Sequence, residues 1–202
     1  VKSGTTLARI GSPTGTSIYF NGDQPTVGFN AKHNGGTWAF GDNSSSQYAG
    51  YLGYNETTGT LRFDTSPTAG NAGTTFTGLT LLTILQNGNV GIGTTSPNST
   101  LHVAGPITSA TATKTAAYTL TGSDSVIYAD ATAGAVVVTL PAASASTIGR
   151  VYYIYKIDST ANAVSVAGAG ADTVNGTAST TTQWKILKVI GYTATGWISS
   201  SY

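Results

Sequence analysis

Eight carboxylates, two histidines and no cysteine bound the chemistry open to this chain. The acids are Asp23, Asp42, Glu56, Asp64, Asp124, Asp130, Asp158 and Asp172. Cleaving a glycosidic bond needs two of them roughly 5–9.5 Å apart. No closely spaced pair stands out. Most of the acids stand beside turn residues, where an Asp side chain hydrogen-bonds nearby backbone. An oligomer could still assemble such a pair between chains. His33 lies in the turn-like Lys32-His33-Asn34-Gly35, and His102 between Leu101 and Val103. Histidine is a ready metal ligand, but a solvated or packed ring accounts for each as simply. Residues 168–176, GAGADTVNG, have the form of one Gly-rich calcium nonapeptide. Those sites draw ligands from successive repeats, so a single copy reads as a hairpin turn. Lacking cysteine, the chain has no disulfide, thiolate nucleophile or Cys-based zinc site. The expectation is a protein without catalytic residues, metal or cofactor.

Aromatic side chains are the better functional material. There are 3 Trp and 11 Tyr against 5 Phe. Sugar rings stack on aromatic faces, and Tyr adds a hydroxyl at low entropy cost. Tyr152 shares a strand face with Lys156, so an exposed patch there is one candidate. Trp184, Tyr192 and Tyr202 join it as candidates in the C-terminal part. Trp38, in the polar, Gly-flanked stretch 33–46, and Tyr48 form a secondary, lateral candidate site. Trp184 and Trp197 are equally readable as core or subunit-interface residues.

Stepping from these residues to what must hold them, the 202-residue chain is 8% charged, against roughly 25% for an ordinary soluble domain. Nine Lys+Arg against eight Asp+Glu leave a net charge of +1. That argues against a nucleic-acid partner, which needs a basic patch to release counterions. It argues equally against charge-driven binding to a membrane surface. No apolar run reaches the length of a membrane-spanning helix. The chain starts Val1-Lys2-Ser3 and has no Met, which reads as a fragment of a longer protein.

Hydrophobic residues, 40% of the chain, fall in short runs rather than with helical spacing. The clearest runs are 16–20, 48–54, 60–63, 79–85, 126–128, 136–140, 151–157, 163–166, 185–190 and 197–199. Asn21-Gly22, Asn34-Gly35-Gly36, Thr57-Thr58-Gly59, Asn87-Gly88 and Asn175-Gly176 supply turns between them. The chain is therefore expected to be all-β. In 151–157, Val151, Tyr153, Tyr155 and Ile157 share one face, and Tyr152, Ile154 and Lys156 the other. In 184–190, Trp184, Ile186 and Ile190 oppose Leu187 and Val189. Strands apolar on both faces belong in a sandwich core or against another copy of the chain. A small domain hides few of them alone, so self-association is the economical reading. Residues 86–105 are too rich in turn formers to be a core. The expected organisation is a β module over 1–85, a connecting shaft segment over 86–110 and a second β module over 111–202.

The middle segment also carries a resemblance. Asn89-Val90-Gly91-Ile92-Gly93-Thr94-Thr95-Ser96-Pro97, then Leu101-His102-Val103 and Gly105, resembles the NVGIGTxxP…LHVxG signature of trimeric bacteriophage tail fibres and related bacterial surface fibres. Tyr48–Asn55 and Gly59–Pro67 are similar to modules that precede it in such fibres. The resemblance implies a homotrimeric, elongated extracellular fibre with sandwich- or prism-like modules. Its end would bind a cell-surface receptor, often a glycan, on a virion tail or a bacterial surface. Many of these fibres continue into a self-cleaving helical chaperone, but no helix-forming stretch follows here. In this frame Gly91 and Gly93 allow three chains to approach closely. Val90, Ile92, Leu101 and Val103 would then point to the shared axis. The readings left open beside an adhesive fibre tip are a fibre-bound polysaccharide depolymerase and a passive spacer. With so little net charge, ligand binding should be nearly insensitive to ionic strength. Titrations in low and high salt should give the same affinity, and a steep salt dependence would contradict this.

Overall fold

The computed structural model describes residues 6–11, 17–21, 26–34, 37–41 and 47–202, with side chains over 26–31, 37–41 and 47–202. The Asn21-Gly22 and Asn34-Gly35-Gly36 turns lie partly outside those residues, and Asp23 and Asp42 wholly outside. The protein is all-β, with one 3-10 turn at Ala145–Thr147 and no α-helix among the described residues. Its contacts divide it into two compact units, Val1–Ile107 and Thr108–Tyr202.

The first unit holds β1 (Thr6–Gly11), β2 (Ser17–Asn21), β3 (Thr26–Phe29), β4 (Ala31–Asn34), β5 (Thr37–Phe40), β6 (Gly50–Asn55), β7 (Thr60–Thr65), β8 (Thr75–Phe76), β9 (Leu79–Ile84), β10 (Val90–Ile92) and β11 (Leu101–Val103). An eight-stranded sheet runs β1-β2-β3-β6-β7-β9-β10-β11, and β4, β5 and β8 make a three-stranded sheet. The turn chemistry sets the pairing. Asn55 Oδ1 accepts from the Thr57 and Thr58 N–H groups at 3.0 Å each, closing the β6–β7 hairpin. Between β9 and β10, Asn87 Oδ1 accepts from Asn89 N–H at 3.0 Å. The segment 86–110 contributes β10 and β11, a parallel pair, to the large sheet. Ala31, Phe40, Ala49 and Tyr51 form a small core between the two sheets, flanked by Trp38 and Phe76.

The second unit holds β12 (Thr111–Lys114), β13 (Tyr118–Thr119), β14 (Val126–Ala129), β15 (Val136–Thr139), β16 (Val151–Lys156), β17 (Val164–Ala167), β18 (Thr173–Gly176), β19 (Ser179–Thr180), β20 (Ile186–Thr193) and β21 (Gly196–Ser201). Up to β20 the chain alternates between two sheets, β12-β14-β16-β20-β21-β18 and β13-β15-β17-β19. The ladders β12–β14–β16 and β13–β15–β17 are parallel, so the chain winds as a flattened coil before β20 and β21 return antiparallel. No such coil was expected from the sequence, which shows no repeat. Residues 168–176, expected to form a hairpin turn, instead cross from β17 in one sheet to β18 in the other. Asn175-Gly176, expected as a turn, closes β18, which pairs with β21.

Both sheets give alternate residues to one core. Ile127, Tyr152, Ile154, Leu187, Val189 and Trp197 come from one sheet, and Val136, Val138, Val164 and Val166 from the other. Lys156 is buried on the same inward face as Tyr152 and Ile154. Its Nζ lies 2.6 Å from Asp158 Oδ1, with both side chains at 5% exposure or less. Asp158 also accepts from Ala131 N–H at 2.7 Å, Thr160 N–H at 3.0 Å and the Thr160 hydroxyl. Burial alone would raise the Asp158 pKa. The bonds from Lys156, Thr160 and Ala131 outweigh it and hold the carboxyl well below the usual range. Truncating Lys156 to Ala leaves that charge buried and unpaired, at a cost of about 3–5 kcal/mol in denaturant melts. The depressed pKa also fixes a sign. The stability Asp158 contributes is present above its unfolded value near ~3.9 and is lost as pH falls below it. Melting temperature should therefore drop below about pH 4 in the parent and less steeply in Asp158→Asn.

Candidate functional site

Two side chains directly opposite across a ladder share a face of the sheet. Following the register of the large sheet gives one row of Val27, Leu52, Phe63, Leu82, Ile92 and Val103. A neighbouring row on that face is Tyr54, Leu61, Ile84, Val90 and Leu101. Phe29 and Leu79 extend the face on its other side. Every residue named is apolar or aromatic; Phe29, Leu52, Tyr54, Phe63, Leu79, Ile92 and Leu101 are exposed, and Val27, Leu61, Leu82, Ile84, Val90 and Val103 are half-buried. Leu52 is 41% exposed, Ile92 46% and Leu101 59%.

The reverse face alternates with it and carries Thr26, Tyr51, Gly53, Thr60, Arg62, Asp64, Thr83 and Gly91. Most of that face is buried. Asp64 and Thr83 are at 0% exposure and Tyr51 at 8%. The sheet is thus inside out, with its polar side turned to the unit's own core and its apolar side the more exposed of the two.

The four residues expected at a shared axis, Val90, Ile92, Leu101 and Val103, all lie on the apolar face. His102 alternates with Leu101 and Val103, so it falls on the reverse face, opposite Gly91. Gly91 has an internal reason to be glycine. A Cβ there would stand 2.6 Å from the Thr94 carbonyl oxygen and 3.4 Å from Pro97 Cδ, because the loop between β10 and β11 folds over it.

On the reverse face, Thr26, Trp38, Tyr51, Gly53, Asn55, Thr60, Arg62 and Asp64 line a cleft of about 120 Å³, which Tyr54 of the apolar face also borders. Gly53 keeps its floor low, since a Cβ there would press on Thr26 Cγ2 at 2.6 Å. Trp38, carried on β5, stacks on Tyr51 with centroids 3.6 Å apart and planes 6° from parallel. The Tyr51 hydroxyl donates to Asp64 Oδ2 at 2.5 Å. Arg62 Nη2 lies 2.7 Å from the same oxygen and donates to Thr80 Oγ1 at 2.5 Å. Burial first, and the bond to Asp64 second, push the Tyr51 hydroxyl well above the usual tyrosine range, so it stays a donor. Asp64 Oδ1 and Arg62 Nε are buried with no hydrogen-bond partner. Trp38 also lines a second recess with Thr37, Thr75, Phe76 and Thr77.

The structure separates the aromatic candidates sharply. Tyr152 and Lys156 are at 0% exposure. The patch expected of them does not exist, because their shared strand face is the one turned to the core. The Tyr152 hydroxyl donates inward to the Thr121 carbonyl at 3.1 Å, and Trp197 is core beside it. Trp184, Tyr192, Tyr202 and Tyr48 are exposed, Trp184 at 66%. Trp184 holds a left-handed φ of +65°, rare for a bulky residue, while its N–H is fixed on the Lys156 carbonyl at 2.7 Å. The outward face of β14, β16 and β20 carries Tyr128, Tyr155 and Ile186 in one row and Val126, Tyr153 and Lys188 in the next. The backbone of His33 lies in β4 opposite Trp38, and its side chain is outside the described residues.

Sequence reasoning missed Tyr51, Arg62 and Asp64. Their signal was present as alternation, Arg62 and Asp64 interleaving with Leu61 and Phe63. Other described acids serve the backbone. Asp124 accepts from Thr121 N–H, Asp130 from Thr132 N–H and Asp172 from Ala143 N–H. Comparison of the chain with protein-family models, curated proteins and solved structures finds no match in any of the three. The packing of the β10–β11 loop makes a direct prediction. Gly91→Ala should destabilise the first unit by about 1–3 kcal/mol, read as a lower melting temperature.

Proposed function

We propose that this chain is the adhesive, receptor-binding part of a homotrimeric extracellular fibre that holds a cell-surface glycan. The observation that carries the reading is the inside-out sheet of the first unit. Its rows run across β3, β6, β7, β9, β10 and β11. At a strand spacing of about 4.8 Å and about 7 Å between rows, that face covers roughly 300 Å² in projection. A patch of this size is among the largest that a single chain usually exposes, and such patches are often functional. Left in water, the face forgoes the free energy of burial; against equivalent faces of other copies it regains it. It is free of charged side chains, so like copies meet there without repulsion. The signature segment supplies two of the strands, which joins the resemblance to a surface that needs covering. The half-exposed aromatic face of β14, β16 and β20 favours the same arrangement for the second unit.

Adhesion draws support from the exposed aromatics Trp184, Tyr192, Tyr202 and Tyr48 and from the Trp38 cleft. Three copies of each on one particle turn weak single contacts into firm attachment. Light scattering on a sizing column should give about 61 kDa, three times 20.4 kDa. Ile92→Asp and Leu52→Asp each put a charge on the apolar face and should yield the 20.4 kDa monomer. A parent mass near one chain, or trimeric variants, would sink the assembly. Adhesion is checked by binding of the labelled protein to bacterial cells and isolated envelope glycans. A trimer that binds neither would stand as a structural spacer.

A further inference from the structure

We infer that Trp184 is the stacking anchor of a saccharide site in the second unit; this rests on the adhesive reading above. The backbone leads there first. Trp184 N–H donates to the Lys156 carbonyl at 2.7 Å, and Lys156 N–H donates to the Lys185 carbonyl at 3.0 Å. Two consecutive residues thus stand against one residue of β16, as in a β-bulge whose first residue is left-handed. Glycine is the usual occupant of that place, because a side chain there is strained. The protein follows this rule elsewhere. Among the described residues ten hold a positive φ; eight are Gly and one is Asn30, a type that tolerates it. Trp184 is the exception, in a chain that carries 26 glycines.

Packing does not offset that strain. Trp184 is 66% exposed, and among the described residues its ring meets no other aromatic ring and no cation, and its indole N–H no acceptor. The turn that carries it is held firmly all the same. Gln183 Nε2 donates to the Ile157 carbonyl at 2.9 Å, and Lys185 N–H to the Thr182 carbonyl at 3.3 Å. A large apolar ring is therefore fixed in water at the expense of stability. Bulges re-aim side chains beside functional sites, and strain of this kind persists where function uses it. Exposed Thr181, Thr182 and Lys185 flank Trp184 along the chain, so hydroxyl and ammonium groups border the ring. That combination suits a pyranose, whose C–H face lies on an indole while its hydroxyls meet polar groups at the rim. Tyr202, 58% exposed, exchanges backbone bonds with Ile186 at 3.4 and 3.2 Å. Strand spacing then puts its backbone roughly 8 Å from that of Trp184, close enough to serve a second unit of the same glycan.

The test uses the full chain and ligand-observed NMR with a panel of hexoses, N-acetylhexosamines and their disaccharides. The Trp184 indole N–H signal, identified by its loss in Trp184→Gly, is followed in parallel. At least one sugar should bind with a Kd on the order of 1 mM and shift that signal. Trp184→Gly puts the preferred residue into the bulge. It should raise the melting temperature by about 4–8 °C, leave the particle mass unchanged and weaken sugar binding at least about tenfold. Trp184→Tyr keeps a ring in the strained place, so it should gain no stability and bind within several-fold of the parent. A lower melting temperature in Trp184→Gly would mean that the ring packs within the fold. A lower mass would mean that it seats against another copy, and undiminished binding that the sugar lies elsewhere. Each of these overturns the inference, as does an indole signal that no sugar in the panel moves. If the parent adheres to cells while that signal stays silent, the inference fails and adhesion stands. If sugars move the signal but no cell or envelope glycan is bound, the adhesive reading fails and the anchor stands.

Discussion

Asp64 sets the sidedness of the first unit. Side chains alternate along a strand with period two, so fixing one residue fixes which face every neighbour takes. A carboxylate at full burial tolerates very few environments. Here the Tyr51 hydroxyl and Arg62 guanidinium converge on one of its oxygens, and both come from the same ladder. A slip of one residue between β6 and β7 would put Asp64 among Leu and Ile side chains and strand Arg62 with it. The cluster therefore locks Leu52, Phe63, Leu82 and Ile92 outward. The apolar face is the geometric complement of a satisfied polar one.

The second unit solves the same problem in the opposite sense. Its inward positions are mostly aliphatic or aromatic, and the cation among them, Lys156, is neutralised by an acid two residues along the chain. The lysine stem packs as a hydrocarbon while its amine reaches a polar pocket built by the Asp158 loop. Polar interiors in the two units thus have different roles. In one a buried ion pair lines a cleft open to solvent. In the other a buried ion pair pins the end of β16 to the Ala131 and Thr160 backbone.

Much of this architecture is legible in the chain. The all-β class and most strand positions follow from short apolar runs and from the turns at Thr57-Thr58-Gly59 and Asn87-Gly88, and the two-faced character of 151–157 appears as half-buried Tyr153 and Tyr155 behind buried Tyr152 and Ile154. Which face turned inward was not legible. Lys156 made the Tyr152 face look like surface, because the sequence does not say that Asp158 curls back to meet it. The parallel coil was hidden for a different reason. Its partners are spaced unevenly, Thr111 with Val126 but Val126 with Tyr153, so no period appears. In the cleft, Trp38 was readable as a lone aromatic in a polar stretch. Arg62 and Asp64 became functional candidates only once the register placed them beneath it.

The coil has a consequence in time as well as in space. Hydrogen-bonded neighbours in β12–β14–β16 and β13–β15–β17 are never consecutive strands, so each ladder closes a long loop before it gains a single bond. The β20–β21 hairpin is the local exception, closed across Ala194 and Thr195. Chains dominated by distant pairings fold slowly, and their early strands wait with edges open. In this unit β12 and β14 are made first, yet their neighbour β16 finds its other partner only when β20 arrives. The waiting strands are apolar, Val126-Ile127-Tyr128-Ala129 in β14 and Val136-Val137-Val138-Thr139 in β15, so their open edges can pair with other chains until each ladder closes. The order of synthesis and the order of pairing run against each other.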